Sequence, residues 1–195
     1  MTMNSENIKV LWWRHDITTN NQDAIIESFV NKQITCGAVS KRVEHMLSEK
    51  LGVKYVALTN SGSSALLVAL LALDLPKGSE VIVPSVTWIA TAQAVVLAGH
   101  KPVLIDCNAN QPTLKLEDLE KKITNKTKVI IPVHLNGRDA GIGAIKKIAE
   151  KYNIYVIEDS CKALMSRANG SYLGSESHVG CFSLGLISTI SVGYG

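Results

Sequence analysis

Short apolar segments rich in Val and Ile recur along this chain, and segments with a helical pattern separate them. The predicted strands are Lys54–Thr59, Glu80–Val83, Pro102–Asp106, Lys128–Ile131, Ile154–Glu158 and His178–Ser183. The predicted helices between them are 40–51, 65–73, 87–98, 116–123 and 142–152. Near-continuous apolar strands that alternate with helices are typical of a parallel sheet covered on both faces. We therefore predict an α/β fold with a mostly parallel sheet.

Composition excludes several classes of protein. The chain has 195 residues, of which 46% are hydrophobic and 19% charged, so it can bury a core and is not disordered. Its net charge of +3 is too small and too dispersed to predict nucleic-acid binding. The longest apolar run, Ala65–Leu73, is far shorter than the ~20 residues that cross a bilayer. A polar start without a signal peptide and four cysteines without a CxxC pair favour a reduced, cytoplasmic chain.

The loop Asn60-Ser-Gly-Ser-Ser64 leads from a predicted strand into a helix. In an open parallel sheet, ligands bind beyond the carboxyl ends of the strands. Gly62 allows tight backbone geometry there, and Ser63, Ser64 and the first N–H groups of the helix can bind an anion. A serine N-cap on an ordinary helix is the alternative. The chain contains neither a P-loop nor a GxGxxG motif.

Two carboxylates follow the predicted strand that ends near residue 158. Glu158 and Asp159 are costly to bury unless a cation or hydrogen-bond donors pair with them. One of them can hold a protonated ring nitrogen or a metal ion. A helix N-cap or a solvent-facing turn explains the same residues equally well.

His134 and Trp88 also follow predicted strands. His134 has no Cys, His or Asp at ligand spacing, so we interpret it as a structural hydrogen-bonding residue and predict no metal site. Trp88 can stack on a flat ligand, although a core position is the simpler interpretation. No GxSxG motif supports Ser-His-Asp hydrolysis.

Six motifs occur in a fixed order along most of the chain. They are Asn60-Ser-Gly-Ser-Ser-Ala-Leu66, Glu80-Val-Ile-Val-Pro-Ser-Val-Thr-Trp88 followed by Ala90-Thr91, Lys101-Pro-Val-Leu-Ile-Asp106, Lys128-Val-Ile-Ile-Pro-Val-His-Leu135, Glu158-Asp-Ser-Cys-Lys-Ala163 and Gly180-Cys-Phe-Ser183. In this order they resemble the DegT/DnrJ/EryC1/StrS family of sugar aminotransferases of fold type I. The resemblance runs from about residue 35 to residue 195.

The resemblance implies an aspartate-aminotransferase-like large domain that binds pyridoxal 5′-phosphate (PLP). Gly62, Ser63 and Ser64 would then bind the phosphate at a helix N-terminus, and Ser183 would add a contact. Trp88 would stack on the ring. Asp159 would pair with the ring nitrogen and hold it protonated. Lys162 would lie near the 3-oxygen of the ring, where the family commonly has Gln.

The sequence departs from the family pattern at the catalytic lysine. Members carry a Schiff-base lysine five residues after the phosphate-binding serine, and this position is Ser188 here. A hydroxyl cannot form the covalent link that a lysine makes, so we expect that link to be absent at residue 188. Lys162 is the nearest substitute in sequence. A PLP-dependent sugar dehydratase without the lysine and a catalytically inactive binding remnant are therefore alternatives.

Family members also continue into a small C-terminal domain, which this sequence does not contain. We therefore expect an N-terminal helical arm at 1–40 and an incomplete PLP-binding large domain at 41–195, from a truncated product or half of a split enzyme. The implied activity is transfer of an amino group from an amino acid, expected to be glutamate, to a keto-sugar nucleotide, as in polysaccharide biosynthesis. The expected assembly is a homodimer, with a separate C-terminal half as a further expected partner.

Overall fold

The computed structural model describes residues 18–33 and 35–192. Predictions for residues 1–17, which begin the expected N-terminal arm, and for 193–195 lie outside these ranges. The helices are α1 (Thr19–Val30), α2 (Ala38–Leu51), α3 (Gly62–Ala72), α4 (Ala90–Leu97), α5 (Leu116–Lys122) and α6 (Ile142–Tyr152). The strands are β1 (Glu80–Pro84), β2 (Lys101–Ile105), β3 (Cys107–Asn108), β4 (Gln111–Leu114), β5 (Thr127–Ile130), β6 (Tyr155–Asp159), β7 (Arg167–Ala168), β8 (Ser171–Tyr172) and β9 (Val179–Cys181).

Five strands form one parallel sheet in the order β2-β1-β5-β6-β9. The chain runs outward from β1 to β2 and then returns to β5 on the other side of β1. The α/β fold and the parallel sheet predicted from the sequence are confirmed. Because the strands are parallel, their carboxyl ends share one edge, and the loops that leave them lie together there.

Side chains alternate along the strands and supply two separate hydrophobic cores. On one face, Val81, Val83 and Ile157 pack with α3 and α4. On the other face, Ile82 and Val156 pack with α5 and α6. The two-residue period of a strand sends neighbouring side chains to opposite faces. The central strands therefore carry consecutive apolar residues that serve both cores, which is the pattern that the sequence showed.

The prediction of a strand at Lys54–Thr59 is wrong. Residues 55–59 have no strand or helix assignment, and Tyr55 is 79% exposed. Apolar, β-branched composition favours a strand only where a neighbouring strand completes the hydrogen bonds. Within the described ranges no strand pairs with this segment, and the Leu58 N–H donates instead to Oε1 of Glu44 (2.9 Å).

Other predicted elements differ mainly at their ends. The helix predicted from Thr87 begins at Ala90, because the preceding residues form a turn in which the Thr91 N–H donates to the carbonyl of Trp88 (3.1 Å). The hairpins β3–β4 and β7–β8 were not predicted. None of the described helices is long and apolar enough to cross a membrane.

The chain divides into two compact units, Met1–Arg42 and Val43–Gly195. The sheet lies wholly within the second unit, and so do all the residues considered below.

Candidate active site at the carboxyl edge of the sheet

Four segments meet the carboxyl edge of the sheet: the start of α3, the loop after β1, the turn after β6 and the loop after β9. The β6 strand ends in Glu158 and Asp159, which pair with Gly180 and Cys181 of β9. Asp159 has the same parity as Ile157 and therefore points to the α3/α4 side, whereas Glu158 points to the α5/α6 side. The two neighbouring carboxylates thus lie in different surroundings.

Asp159 is buried, with 4% of its surface exposed, and its carboxylate accepts two hydrogen bonds. Thr91 Oγ1 donates to Oδ2 (2.8 Å), and the Cys161 N–H donates to Oδ1 (3.2 Å). In the part of the chain that the structure describes, Asp159 forms no ion pair with a lysine, arginine or histidine. A buried carboxylate with only neutral donors is costly, and a cationic ligand group would offset that cost.

Glu158 is fully buried and saturated with hydrogen bonds. Its Oε2 accepts from the Gly174 N–H (2.9 Å) and contacts Nε2 of His134 (2.8 Å), and its Oε1 accepts from the Glu176 N–H (3.0 Å). Burial raises the pKa of the Glu158 carboxyl, but the hydrogen bonds from His134 and Gly174 outweigh burial and hold this pKa below its usual range. Glu158 therefore has a structural role in fixing the 174–176 loop.

His134 is the structural hydrogen-bonding residue that its sequence context indicated. Its Nδ1 accepts from the Ala140 N–H (3.1 Å), so Nε2 carries the proton and donates to Glu158. Its backbone N–H also donates to the carbonyl of Asp159 (2.9 Å). The His134 ring thus lies on the α5/α6 side and supports the end of β6 from there.

The start of α3 combines a serine cap with a close approach of two neighbouring side chains to Gly62. Ser61 is the N-cap, and its Oγ accepts from the Ser64 N–H (3.1 Å) and donates to the Ser64 Oγ (3.0 Å). A Cβ at Gly62 would lie 2.7 Å from Sγ of Cys161 and 2.9 Å from Cβ of Ser183. Ser63 is exposed, and the first N–H groups of a helix have no intrahelical partner. Only glycine therefore fits at residue 62, beside N–H groups of the kind that can donate to an anion.

The loop after β9 contacts both Lys162 and the predicted phosphate-binding residues. The Ser188 hydroxyl donates to Oγ of Ser183 (2.9 Å), and the Gly185 N–H donates to the same oxygen (3.2 Å). Nζ of Lys162 donates to the carbonyl of Ile187 (3.1 Å). Contacts therefore link Gly62, Ser183 and Ser188 to Lys162, which is three residues from Asp159.

Trp88 is 65% exposed in the loop after β1, so it is not the core residue of the simpler interpretation. Oγ1 of Thr87, the preceding residue, lies 2.9 Å from Oγ1 of Thr91, which in turn contacts Asp159. Trp88 thus lies on a loop that is tied to the Asp159 carboxylate, with its ring open to solvent.

The role of Thr91 was missed in the sequence. It is completely buried and lies 68 residues before Asp159 in the chain. Its position in the first turn of the helix that follows β1 was the signal that could have shown it. The contact between Cys161 and Gly62 was likewise not identified from the sequence. Burial raises the pKa of the Cys161 thiol, so this side chain is an unreactive packing group.

Replacing Thr91 by valine is expected to destabilise the protein by about 1–3 kcal/mol, because Oδ2 of Asp159 loses its hydroxyl donor while the volume stays nearly constant. Denaturant unfolding of the purified chain measures this. Thr91→Ser keeps the hydroxyl and is the matched control. Equal stability of the parent and Thr91→Val would show that this hydrogen bond does not stabilise the protein.

Comparison with known proteins identifies the family of the chain. It matches the DegT/DnrJ/EryC1/StrS aminotransferase family over residues 15–195, and it therefore belongs to that family. It is 36% identical over 159 residues to the GDP-perosamine synthase of Escherichia coli O157:H7, covering 82% of this chain and 44% of that protein. It is 40% identical over 147 residues to the UDP-N-acetyl-3-dehydro-alpha-D-glucosamine 3-aminotransferase of Acidithiobacillus ferrooxidans, covering 75% and 40%.

Solved structures agree with the family assignment. The chain superposes on NtdA of Bacillus subtilis, solved with its cofactor PMP bound, with a TM-score of 0.83 and 32% identity, covering 91% of this chain and 41% of NtdA. The chain spans less than half the length of these relatives. The resemblance seen in the motifs is thus confirmed, as is the aspartate-aminotransferase-like fold class.

Proposed function

We propose that this chain is the PLP-binding part of an aminotransferase that moves an amino group from an amino acid to a keto-sugar nucleotide. The observation that carries the proposal is the buried Asp159 carboxylate. It lies at the carboxyl edge of the sheet, has only neutral donors in the described residues, and is linked through Cys161 and Gly62 to a helix N-terminus. A ligand with a cationic ring at one end and a phosphate at the other suits this pair of sites.

The residues present fit PLP. The α3 N-terminus, with Gly62, Ser63 and Ser64, would hold the phosphate, and Ser183 would contribute its hydroxyl from the facing loop. Asp159 would hold a proton on the ring nitrogen, because a carboxylate beside that nitrogen favours its charged form. Trp88, whose ring is exposed, would cover one face of the ligand ring.

When bound, PLP supplies an electron sink for breaking bonds at the carbon that carries the amino group. The tasks of the chain are to retain the cofactor, to orient it and to keep the ring nitrogen protonated. Thr91 and the Cys161 N–H fix the Asp159 carboxylate in one orientation, so it needs little reorganisation when the ligand binds.

The nature of the substrates follows from the relatives. The two curated relatives described above are named as enzymes that make amino sugars attached to GDP or UDP. A nucleotide-linked keto-sugar as acceptor and an amino acid, glutamate in our proposal, as donor are therefore the substrates that we propose.

The proposed organisation is an N-terminal arm at 1–40 and a PLP-binding large domain at 41–195. We further propose a homodimer, because α3 and α4 carry apolar side chains that stay more than half exposed, namely Val68, Leu71, Val96 and Leu97. A cytoplasmic location is supported by the cysteines, which are all free.

The function is tested by the amino-donor half of the reaction. Purified chain is loaded with PLP, dialysed, and mixed with L-glutamate, and the 2-oxoglutarate released is measured against D-glutamate as the control. We expect an amount of 2-oxoglutarate close to that of the bound cofactor. Retention of PLP without an oxoacid product from any amino acid would favour the inactive binding remnant instead.

A further inference from the structure

The amine of Lys162 contacts the segment that carries residue 188, the position of the lysine in family members. Its Nζ donates to the carbonyl of Ile187 at 3.1 Å, one residue before Ser188. From the sequence alone there was no geometric reason for Lys162 to serve there. The structure provides one, since the turn after β6 and the loop after β9 bring residues 162 and 187 together across 25 positions of the chain.

A series of contacts connects this amine with residues proposed to bind PLP. The Cys161 N–H contacts Asp159, and Cys161 Sγ and the Ser183 side chain both crowd Gly62. Ser183 accepts from Ser188, and the carbonyl of Ile187 beside it accepts from Lys162. Lys162 follows Asp159 by three residues, so this series of contacts begins and ends on the turn after β6. The amine thus belongs to the turn that carries Asp159 and contacts the loop that carries Ser183.

The state of the amine suits a nucleophile. Partial burial lowers the pKa of the Lys162 amine, although Cys161 and Asp159 oppose this effect. In the described ranges Lys162 forms no ion pair with a carboxylate. A lysine without an ion pair and with a lowered pKa presents more of the neutral amine that attacks carbonyl carbon.

Two other lysines, Lys101 and Lys126, lie at the opposite edge of the sheet. Lys101 is the first residue of β2, and Lys126 directly precedes β5. A five-residue strand is about 16 Å long, so these amines begin far from the carboxyl edge. Lys101 is also paired with Glu80 (3.1 Å).

We propose that Lys162, instead of residue 188, bonds covalently to the aldehyde carbon of PLP in this chain; this inference rests on the PLP binding proposed above. The neutral amine adds to the aldehyde carbon, and the aldehyde oxygen leaves as water with two protons taken up from the amine. A carbon–nitrogen double bond thus replaces the carbon–oxygen double bond, with no oxidant or reductant required.

Borohydride reduction followed by peptide mass mapping tests this. The hydride adds to the bonded carbon and water gives the nitrogen its proton, which makes the link permanent at the lysine that formed it. We expect the parent chain, incubated with PLP, to carry the adduct at Lys162. The yield of trapped adduct should fall about tenfold or more in Lys162→Gln. Lys146→Gln, which removes a surface lysine paired with Glu176, is the matched control and should leave the yield unchanged.

A double variant distinguishes loss of the reactive amine from general damage to the pocket. Lys162→Gln combined with Ser188→Lys restores the family pattern, and the adduct should return at residue 188. The pH midpoint of trapping in the parent should lie below that of an ordinary lysine, in line with the lowered pKa of the Lys162 amine.

Retention of PLP by the parent on dialysis without an adduct at Lys162, or with the adduct on another lysine, would overturn the inference and leave the proposed function intact. Failure of both the parent and the double variant to retain PLP would contradict the inference and the proposed function together.

Discussion

Replacing Asp159 by asparagine is expected to weaken PLP binding about 100-fold or more, because a buried cation that loses its carboxylate partner costs about 3 kcal/mol. The same change should leave the stability of the free protein unchanged or raise it, because it removes a buried charge that has only neutral donors in the described residues and because the Thr91 hydroxyl can turn to accept from the new amide. Fluorescence titration with PLP and denaturant unfolding measure the two effects. Opposite signs for binding and stability are the signature of a ligand-binding carboxylate.

Asp106→Asn is the matched control for this prediction. Asp106 is exposed, lies after β2 and accepts a hydrogen bond from the Cys107 N–H (2.8 Å). The chemical change is the same, and PLP affinity should stay at the parent value. Equal affinity of parent and Asp159→Asn would contradict the role assigned to Asp159 while leaving the fold unaffected.

Replacing Glu158 by glutamine is expected to destabilise the protein by about 2–4 kcal/mol at pH 7. Hydrogen bonds to a charged group are lost, and the NH₂ group of the new amide faces another N–H donor. Both carboxylate oxygens of Glu158 accept N–H donors, from His134 and Gly174 on one and from Glu176 on the other. An amide has a single acceptor oxygen, so its NH₂ group must face one of these donors.

The effect of Glu158→Gln should also depend on pH. The pKa of the Glu158 carboxyl is lowered in the folded state, so its stabilisation is complete above the unfolded value of about 4.3 and is lost as pH falls through the lower, folded value. The stability gap between parent and variant should therefore shrink as the solution is acidified below about pH 4.3. Urea unfolding at several pH values measures the gap. Glu117→Gln, at an exposed position of α5, is the control. A gap that stays constant with pH would contradict the assignment.

Much of the fold could be predicted because apolar strands and helix periods are local signals. The helix predicted at 142–152 matches α6, and five of the six predicted strands overlap observed ones. The segment 54–59 shows the limit of such signals, since its composition favours a strand while pairing depends on what lies beside it. The hairpins β3–β4 and β7–β8 have only two to four residues in each strand, too few for a periodic pattern.

The candidate site was predictable as a set of residue types but not as a set of contacts. Asp159 was recognisable because it ends an apolar strand, and the serines of α3 were recognisable because they begin a helix. Which of Glu158 and Asp159 faces the site depends on strand parity relative to two cores, and the sequence alone left that open. The contact between Lys162 and Ile187 depends on how two loops fold against each other, which no local pattern encodes.

Because side chains alternate along β6, the register of this strand decides which face of the sheet each side chain occupies. A shift by one residue would place glutamate on the α3/α4 side and aspartate on the other. The longer side chain would then crowd Thr91, and the shorter one would not reach the N–H groups of Gly174 and Glu176. The register is set by Val156 and Ile157, which pack in the two opposite cores. A residue inserted within β6 between Ile157 and Glu158 would therefore exchange the surroundings of the two carboxylates without altering any residue of the site.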